Sequence, residues 1–234
     1  MGPEAALTPR RPPETEERPP CSALNALPTG TRTELWRALV RRRVKAGAAL
    51  FQEGEPGEAA YVVMKGLFKA LKFSQGERVS AMDLIVPGRL CGVIALLDHR
   101  PYPVSVYALQ DAEVLVLPAA VFHRLMSQHP EFSRAVHGEV GDHLRHAQDM
   151  RARASEPVDK RLAHLLLMLL PAPGAEVRVR REDLAELVGC IPETAIRTLS
   201  EFKKRGWIRT GWKRIALLNP DALRRLSRSP ANLP

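Results

Sequence analysis

Cysteine, aromatic residues and long apolar runs are all scarce in this chain of 234 residues, and each scarcity excludes a class of protein. The 3 cysteines, Cys21, Cys91 and Cys190, are too few and too far apart for a disulfide framework or a CxxC metal motif. The longest apolar run, LAHLLLMLL, is interrupted by His164 and is far too short to span a bilayer. The chain shows no charged-then-apolar signal segment, so we expect a cytoplasmic protein with no membrane contact. Although only 5% of residues are aromatic, 45% are hydrophobic, which is enough for a globular core.

Catalytic motifs are also missing from the sequence. The 7 histidines include no HExxH or comparable spacing, and no glycine-rich phosphate loop of the Walker or Rossmann type occurs. We therefore expect neither an enzyme nor a metal site, and we assign no catalytic residue.

Positive charge is present in excess and is unevenly distributed. The formal net charge is +9, and from Glu156 onward there are 15 Lys or Arg against 9 Asp or Glu. A cluster of basic residues is typical of a surface that binds phosphates, although a merely solvated basic face remains an alternative.

The basic excess surrounds residues 181–208, REDLAELVGCIPETAIRTLSEFKKRGWI, which have the pattern of a helix-turn-helix. The first helix opens on acidic residues and ends at Gly189, where glycine suits a left-handed turn. Pro192 suits the first position of the next helix because its fixed φ is helical. The following WIRTGWKRIALL predicts a two-stranded wing with Gly211 in its turn, and residues 220–226 predict a closing helix.

The second helix of this motif has two different faces. Ala195, Leu199 and Phe202 share one face, and the opposite face carries Glu193, Ile196, Arg197 and Ser200. Arginine can bond to guanine O6 and N7, and a carboxylate can accept from cytosine N4, so this second face suits a DNA major groove. A surface salt bridge between Glu193 and Arg197 is the alternative interpretation.

The N-terminal part of the chain divides into a proline-rich arm and a β-rich region. Residues 1–30 contain seven prolines among charged residues, which predicts a disordered arm. Apolar residues near its end indicate a short helical lead-in that docks on the next domain: Leu24, Leu27, Leu35 and Leu39. Short apolar runs cut by glycines then predict a compact antiparallel barrel or sandwich, with turns at Gly47, Gly54, Gly66, Gly76, Gly88 and Gly92.

The ordered set GAALFQEGEPGEAAYVVMKG, VPGRLCG and PVSVYAL, followed by LAELVGCIPETAIRTL, closely resembles the cyclic-AMP receptor and fumarate-nitrate regulator (CRP/FNR) family. The resemblance implies an α+β fold: an N-terminal cyclic-nucleotide-binding-like β-roll, a long dimerisation helix and a C-terminal winged helix-turn-helix. The domains expected are a disordered arm at 1–30, a β-roll sensor at 31–130, the dimerisation helix at 131–155 and the DNA-binding domain at 156–234. Proline after Glu156 disfavours helical geometry there, which agrees with the last boundary.

The resemblance also assigns roles to residues of the helix-turn-helix. It implies that Arg181 and Thr194 contact backbone phosphates, and that Glu193 and Arg197 contact base edges. Ile196 lies on the same exposed face and could touch a thymine methyl group. The chain departs from the family at Pro192, where some members keep a base-reading arginine, and at Ile191, which replaces the usual serine or threonine cap.

Cyclic-nucleotide binding is not expected from the residues of the β-roll. Members that bind these ligands hold the ribose with a glutamate after the GxxxG turn and the phosphate with an Arg-Ser pair, and here those positions are Val93, Tyr102 and Pro103. A buried phosphate without such partners is strongly unfavourable. The degenerate effector pocket would comprise Val93, Ile94, Tyr102, Pro103 and Val104. It suits either a self-packed core without a cofactor or an apolar effector such as haem, with His99 as a candidate ligand.

The segment after the β-roll has the spacing of a coiled-coil helix. Its apolar positions repeat at four, three, four and three residues, which predicts a dimer seam at Val136, Val140, His143, Ala147 and Met150. A helix packed only on its own domain is the alternative. A homodimer would set two reading helices about 34 Å apart on a near-palindromic operator.

We therefore expect a CRP/FNR-type transcription regulator whose partners are double-stranded DNA, a second copy of the chain and RNA polymerase, and which is independent of cyclic nucleotides. The alternative is a nucleotide- or haem-sensing regulatory module that acts through a protein partner. Oxidation of Cys91 or Cys190 is a further hypothesis, since each lies near a predicted functional turn.

Overall fold

The structure is a computed structural model that describes residues 21–73, 79–170 and 172–228. The arm at 1–20 and the turn at Gly76 lie outside the described residues. The elements up to residue 118 are α1 (Ser22–Asn25), α2 (Thr29–Ala38), β1 (Val40–Val44), β2 (Ala49–Phe51), β3 (Ala59–Lys65), β4 (Phe68–Phe73), β5 (Val79–Ile85), β6 (Leu90–Cys91), α3 (Val93–Asp98), β7 (Ser105–Ala108) and β8 (Ala112–Pro118). The later elements are α4 (Ala119–Gln128), α5 (Pro130–Arg153), α6 (Val158–Leu169), β9 (Glu176–Arg178), α7 (Arg181–Val188), α8 (Pro192–Lys204), β10 (Ile208–Gly211), β11 (Arg214–Leu217) and α9 (Pro220–Arg228).

These elements form two compact units. The first contains the described residues up to Leu67 together with Ile85–Asp142, and the second contains Phe68–Leu84 and the chain from His143 onward. The β4–β5 segment thus groups with the C-terminal part of the chain, and the division between the units falls inside α5 rather than at residues 130 and 155. The break between α5 and α6 is at Glu156 and Pro157, where the sequence predicted a boundary.

Antiparallel strands build the β-roll of the first unit. One sheet has the order β1-β8-β3-β6, and β2 pairs separately with β7. Tyr61 on β3 stands opposite both Val116 on β8 and Cys91 on β6, which fixes the register of the central strand. Every predicted turn glycine in the described residues has a positive φ: Gly47, Gly54, Gly66, Gly88 and Gly92.

The core of the first unit lies between this sheet and the helices. Ala60 and Val62 of β3 pack with Phe122 of α4 and with Phe132 and Val136 of α5. The side chains of Ala60 and Val62 share one face of the strand because side chains alternate along it. The alternate residue Tyr61 faces the other way, toward the interior of the roll.

The helical lead-in is confirmed, but it begins earlier than the predicted arm ends. Cys21, Leu24 and Leu27 are fully or almost fully buried in the core of the first unit. Glu139 of α5 accepts hydrogen bonds from the hydroxyl of Ser22 and from the amide of Ala23 at 3.3 Å. Residues 21–30 therefore belong to the folded unit, and the boundary at residue 30 is corrected.

The long helix α5 does not offer all of its predicted seam to a second copy. Val136 is fully buried and Val140 is partly buried, both against the core of their own protomer. In the second unit, His143 Nδ1 lies 2.9 Å from Oδ2 of the buried Asp83, whose other oxygen is 3.4 Å from His146 Nε2. The prediction that Val136 lies in the dimer seam is therefore wrong, because its side chain is fully buried in the core of its own protomer. Ala147 and Met150 are partly exposed.

The second unit is assembled around α6. Leu162, Leu165 and Leu166 are buried, and α6 contacts α7, α8 and α9. β10, β11 and β9 form the antiparallel wing sheet, in the order β10-β11-β9. Within the described ranges no helix is both long and apolar enough to cross a bilayer.

Gly66 provides a test of the packing of the roll. A Cβ there would lie 2.5 Å from Cβ of Ala112, whereas a Cβ on Gly54, which has a similar positive φ of 85°, would meet nothing within 4 Å. Both changes to alanine carry the left-handed backbone penalty of about 1–2 kcal/mol. We expect Gly66→Ala to lower the free energy of unfolding by about 1–3 kcal/mol more than Gly54→Ala, because only the former is overpacked. Urea unfolding of both variants measures this difference, and equal losses would contradict the close approach of Gly66 to Ala112.

Candidate nucleic-acid interface

A tight turn sets the angle between α7 and α8. Gly189 adopts φ 67° and ψ 50°, and the amides of Gly189 and Cys190 donate to the carbonyls of Glu186 at 3.1 Å and Ala185 at 2.9 Å. This pair of bonds is the Schellman ending of a helix, which requires a left-handed residue and favours glycine. Arg161 of α6 donates to the carbonyl of Val188 and so binds the same helix end. The predicted helix-turn-helix is confirmed.

The helix α8 presents one face to solvent. Ala195, Leu199 and Phe202 are buried, and Glu193, Ile196, Arg197 and Ser200 are exposed. Among the described residues no ion pair joins Glu193 to Arg197, although they are four positions apart. Both charged groups are therefore free to bond to another molecule, and the alternative of a surface salt bridge finds no support.

The start of α8 departs from the usual capping chemistry. Pro192 occupies the first turn, and Ile191 at the N-cap makes no side-chain bond and is 63% exposed. Thr194 is partly exposed, and its carbonyl accepts a bond of 2.9 Å from the hydroxyl of Thr198. The hydroxyl of Thr194 lies in the first turn of α8, on the end of the helix that carries Glu193.

Two adjacent arginines at the start of α7 have different partners. Arg180 binds Asp183 through two bonds of 2.9 and 3.1 Å, and this strengthens the ion pair because the fork of the guanidinium matches the carboxylate. Arg181 is partly exposed and has no acidic partner in the part of the chain that the structure describes. Of the two arginines, Arg181 is the one without an acidic partner among the described residues.

A buried carboxylate connects α7 to β4. The side chain of Asp183 is only 2% exposed, and besides Arg180 it accepts a 2.9 Å bond from Nζ of Lys69 on β4, which also bonds to Glu186. Burial alone would raise the pKa of Asp183, but the bonds from Arg180 and Lys69 outweigh burial and hold it below its ordinary value. At neutral pH the group is therefore an ionised, fully paired anchor of the helix-turn-helix.

Tyr102, one of the residues predicted to line the effector pocket, is buried. The ring of Tyr102 stacks on Phe51 at 3.9 Å between centroids, and its hydroxyl donates to the carbonyl of Ala59 at 2.6 Å and accepts from the amide of Ala59 at 3.2 Å. A Cβ on Gly92 would lie 3.1 Å from the same ring. Burial raises the pKa of Tyr102, so the phenol stays neutral.

The other predicted pocket residues do not converge with Tyr102. Val93 is buried in the core beside α5, Ile94 and Pro103 are exposed, and Val104 is partly exposed. Tyr102 instead borders a cleft of about 410 Å³ together with Arg42, Phe51, Gln52, Glu55, Glu58 and Tyr61. His99, the candidate haem ligand, is exposed and its ring stacks on His123 at 4.9 Å. In the described residues, no three His, Cys, Asp or Glu side chains converge as a metal site.

Two segments of the chain match known domain families. Residues 41–129 match the cyclic nucleotide-binding domain, and residues 160–226 match the Crp-like helix-turn-helix domain. The chain belongs to the CRP/FNR family of transcription regulators.

Two curated members of the CRP/FNR family show how similar the chain is to known regulators. The cyclic AMP receptor protein of Thermus thermophilus is 29% identical over 173 residues, which cover 73% of this chain and 80% of that protein. The CRP-like cAMP-activated global transcriptional regulator of Mycobacterium tuberculosis is 26% identical over 191 residues, or 78% of this chain and 85% of that protein. The match thus covers 80% or more of each of these two regulators.

Solved structures agree with this family assignment. The structure of FixK2 from Bradyrhizobium japonicum has a TM-score of 0.74, with 22% identity and coverage of 83% of this chain and 100% of that chain. TTHA1359, a CRP/FNR transcriptional regulator of Thermus thermophilus, has a TM-score of 0.66 at 25% identity and covers 81% of this chain and 98% of that chain. The α+β fold of sensor domain, long helix and helix-turn-helix is therefore that of the family.

The cysteines of this CRP/FNR protein lie in environments that protect them. Burial raises the pKa of both Cys21 and Cys91 to about 12, and burial also raises the pKa of Cys190. Because the thiolate is the form that oxidants attack, protonated thiols react slowly at neutral pH. The environment disfavours the redox hypothesis for Cys91 and Cys190.

Sequence reasoning missed the anchor beneath α7. Asp183 was interpreted only as an acidic residue suited to a helix N-terminus. Arg180 at i−3 was a local signal for its pairing, but Lys69 lies 114 positions away and no pattern in the chain connects the two.

Replacing Lys69 tests the anchor. We expect Lys69→Met to lower the free energy of unfolding by about 1–2 kcal/mol at neutral pH, since Asp183 stays buried with one cation instead of two. A carboxylate whose pKa is depressed in the folded state contributes stability at pH values above its ordinary pKa of 3.8. This stability is lost as the pH falls through the lower pKa of the folded state. The difference between wild type and variant should therefore shrink as the pH falls from about 7 to about 3.

Lys204→Met is the matched control for this experiment. Lys204 pairs with Glu201 at 2.9 Å on the solvent side of α8, where both side chains are about half exposed or more. Such pairs contribute little. A loss in Lys69→Met no larger than that in Lys204→Met, or one independent of pH, would contradict the anchor.

Proposed function

We propose that this CRP/FNR regulator binds a near-palindromic DNA operator as a homodimer and does so without a cyclic nucleotide. The observation that carries the DNA-reading part is the exposed pair Glu193 and Arg197 on α8, neither of which bonds to the other. Arg197 suits a guanine and Glu193 the opposing cytosine, so together they would read one G·C pair in each half-site. Arg181 and Thr194 flank them and would bind phosphates, and Ile196 is positioned for a thymine methyl group.

Association through α5 supports the dimeric part of this proposal. The helix has 24 residues, and the apolar side chain of Leu144 on it is 58% exposed and so accessible to a second copy. Ala147 and Met150 are partly exposed on the same half of the helix. Two copies joined along this half would present two α8 helices to successive turns of a duplex. RNA polymerase as a further partner, and action in the cytoplasm, are part of the same proposal.

Independence of cyclic nucleotides is proposed from the residues of the β-roll, although two relatives are named for cyclic AMP. Val93, Tyr102 and Pro103 stand where a glutamate and an Arg-Ser pair would hold the ligand. None of these three side chains carries a charge that could pair with a cyclic phosphate. The bonds of Tyr102 to Ala59 favour the self-packed core over a haem or other cofactor.

The second candidate function is a sensing module that acts through a protein partner. The cleft beside Tyr102 is the feature that favours it, since its aromatic side and its charged rim could receive a small polar ligand. Such a module would show no preference among DNA sequences. We propose no catalytic step for either function.

Selection of binding sites from random duplexes, followed by two substitutions, tests the proposal. We expect the selected site to be near-palindromic. Arg197→Ala should weaken binding to it by about 1–3 kcal/mol and relax the preference at one base pair, because a bidentate base contact is lost. Arg181→Ala should weaken specific and random DNA alike and reduce the salt slope by about 1, because a phosphate contact is lost.

Lys204→Ala is the control, since this lysine is exposed at the far end of α8 and pairs with Glu201. Binding by the control should remain close to wild type. If Arg197→Ala weakened specific and random DNA to the same degree, the docking of α8 would be incorrect. If no sequence were enriched at all, the sensing module would be the better interpretation.

Cyclic AMP and cyclic GMP are expected to have no effect. Isothermal titration at millimolar nucleotide should show no saturable heat, and operator affinity should be the same with and without nucleotide, because Val93, Tyr102 and Pro103 carry no charge to replace the glutamate and the Arg-Ser pair. The cyclic AMP receptor protein of Thermus thermophilus serves as the control run in parallel. Saturable binding that also tightens operator binding would overturn this part of the proposal.

A further inference from the structure

The cleft beside Tyr102 is lined by charges of both signs. Arg42 of β1 contributes a guanidinium, and Glu55 and Glu58, from the connection between β2 and β3, contribute two carboxylates. Within the described ranges neither carboxylate forms an ion pair with Arg42. The Glu55 carboxylate accepts a bond of 2.9 Å from the amide of Gln52, whereas that of Glu58 has no hydrogen-bond partner among the described residues. Charges of opposite sign therefore share one cleft without neutralising each other.

Backbone hydrogen bonds hold the segment that carries the two carboxylates. The amide of Tyr102 donates to the carbonyl of Glu55 at 2.9 Å, and the amide of Gly54 donates to the carbonyl of Tyr102 at 3.0 Å. The amide of Ala119, at the start of α4, donates to the carbonyl of Glu58 at 2.8 Å. The carboxylates therefore project from a backbone that is tied to neighbouring parts of the first unit.

Three aromatic rings form an apolar wall of the cleft. The ring of Phe51 stacks on Tyr102 and lies 5.7 Å from Tyr61 between centroids, and all three residues are buried. Burial is the largest cause of the raised pKa of Tyr61, while the charge of Arg42 opposes the rise and the charge of Glu55 adds to it. The hydroxyl of Tyr61 is therefore protonated at neutral pH and lies within reach of both charges.

This combination of groups selects a class of ligand. A simple anion would approach two carboxylates, and a simple cation would approach a guanidinium, so each is repelled by part of the lining. A zwitterion satisfies both, because a guanidinium binds a carboxylate through two parallel bonds and a carboxylate accepts from an ammonium group. A volume of about 410 Å³ lies at the lower end of the range of small-molecule pockets, which is about 300–1,000 Å³.

We propose that the cleft binds a free α-amino acid with an apolar or aromatic side chain. The carboxylate of the ligand pairs with Arg42, its ammonium group pairs with Glu58, and its side chain packs on the aromatic wall. Tyr102 keeps its bonds to Ala59, so the ligand binds beside this tyrosine and does not take its place. The inference goes beyond the proposed operator binding and does not depend on it.

Isothermal titration of the full chain with L-phenylalanine, and with two analogues that each lack one charge, tests the class of ligand. We expect saturable heat with L-phenylalanine. Binding of 3-phenylpropionate, which lacks the ammonium group, and of 2-phenylethylamine, which lacks the carboxylate, should be weaker by about 10-fold or more, because a charge-assisted bond is lost. L-Leucine should also bind. Glycine has both charges but no side chain, so it should bind about 10-fold or more weakly than L-leucine.

Two substitutions assign the two charges of the ligand. Arg42→Met should weaken L-phenylalanine by about 10- to 100-fold and should not weaken 2-phenylethylamine, which has no carboxylate to lose. Glu58→Gln should weaken L-phenylalanine to a similar degree and should not weaken 3-phenylpropionate. A general loss of structure would lower the affinity of every compound, so this selectivity distinguishes contact from misfolding.

Arg43→Met is the matched control. Arg43 is also exposed on β1, but it points to the opposite side of the strand from Arg42, because side chains alternate along a strand. This variant should bind L-phenylalanine as the wild type does. Thermal unfolding of each variant shows whether the fold is retained.

Three results would overturn the inference. An absence of saturable heat with both amino acids at millimolar concentration would mean that the charges of the cleft are only solvated. Analogues that bind as tightly as L-phenylalanine would mean that the cleft does not recognise a zwitterion. Equal losses in Arg42→Met and Arg43→Met would place the ligand elsewhere. In all three cases the proposed operator binding stands, since it is tested separately with DNA.

Discussion

The position of the DNA-reading motif depends on keeping the buried carboxylate of Asp183 paired. An ionised group that is almost fully removed from water is strongly destabilising unless cations compensate it, and here Arg180 and Lys69 both do so at 2.9 Å. Asp183 and its two cations hold α7 in place, and α7 ends in the Schellman turn at Gly189. Together these residues fix the direction of α8. The direction of the exposed face of α8 is therefore set by residues outside α8.

Local chemistry explains which parts of the fold could be predicted. A glycine at a left-handed turn, a proline in a first helical turn and an apolar stripe on α8 each act within a few residues, so Gly189, Pro192 and Leu199 were sufficient to predict the motif. Contacts over long sequence separation leave no such pattern, which is why the partnership of Lys69 with Asp183 was missed. The stripe on α5 shows a third situation: its periodicity predicted a seam, but periodicity cannot distinguish a second copy of the chain from the helix's own domain, and Val136 packs on its own domain.

The same limits apply to the N-terminal region. Prolines dominate the composition of residues 1–30, and they obscured a short apolar segment that the core of the first unit requires. Ala60 and Val62 on one side, and Phe122 and Phe132 on the other, form the main layers of that core. The β-roll thus supports the helices through packing, and this role does not depend on whether a ligand is bound.

The hydroxyl and ring of Tyr102 have a consequence for any molecule that could enter the β-roll. A ligand that took the position of Tyr102 would have to displace a side chain that stacks on Phe51 and bonds to both the amide and the carbonyl of Ala59. The free energy of that displacement is subtracted from the free energy of binding of the ligand. Its apparent affinity would therefore equal its intrinsic affinity multiplied by the small fraction of molecules in which Tyr102 has left this position. Because Tyr102 is part of the chain, its competition with a ligand is intramolecular and cannot be removed by dilution.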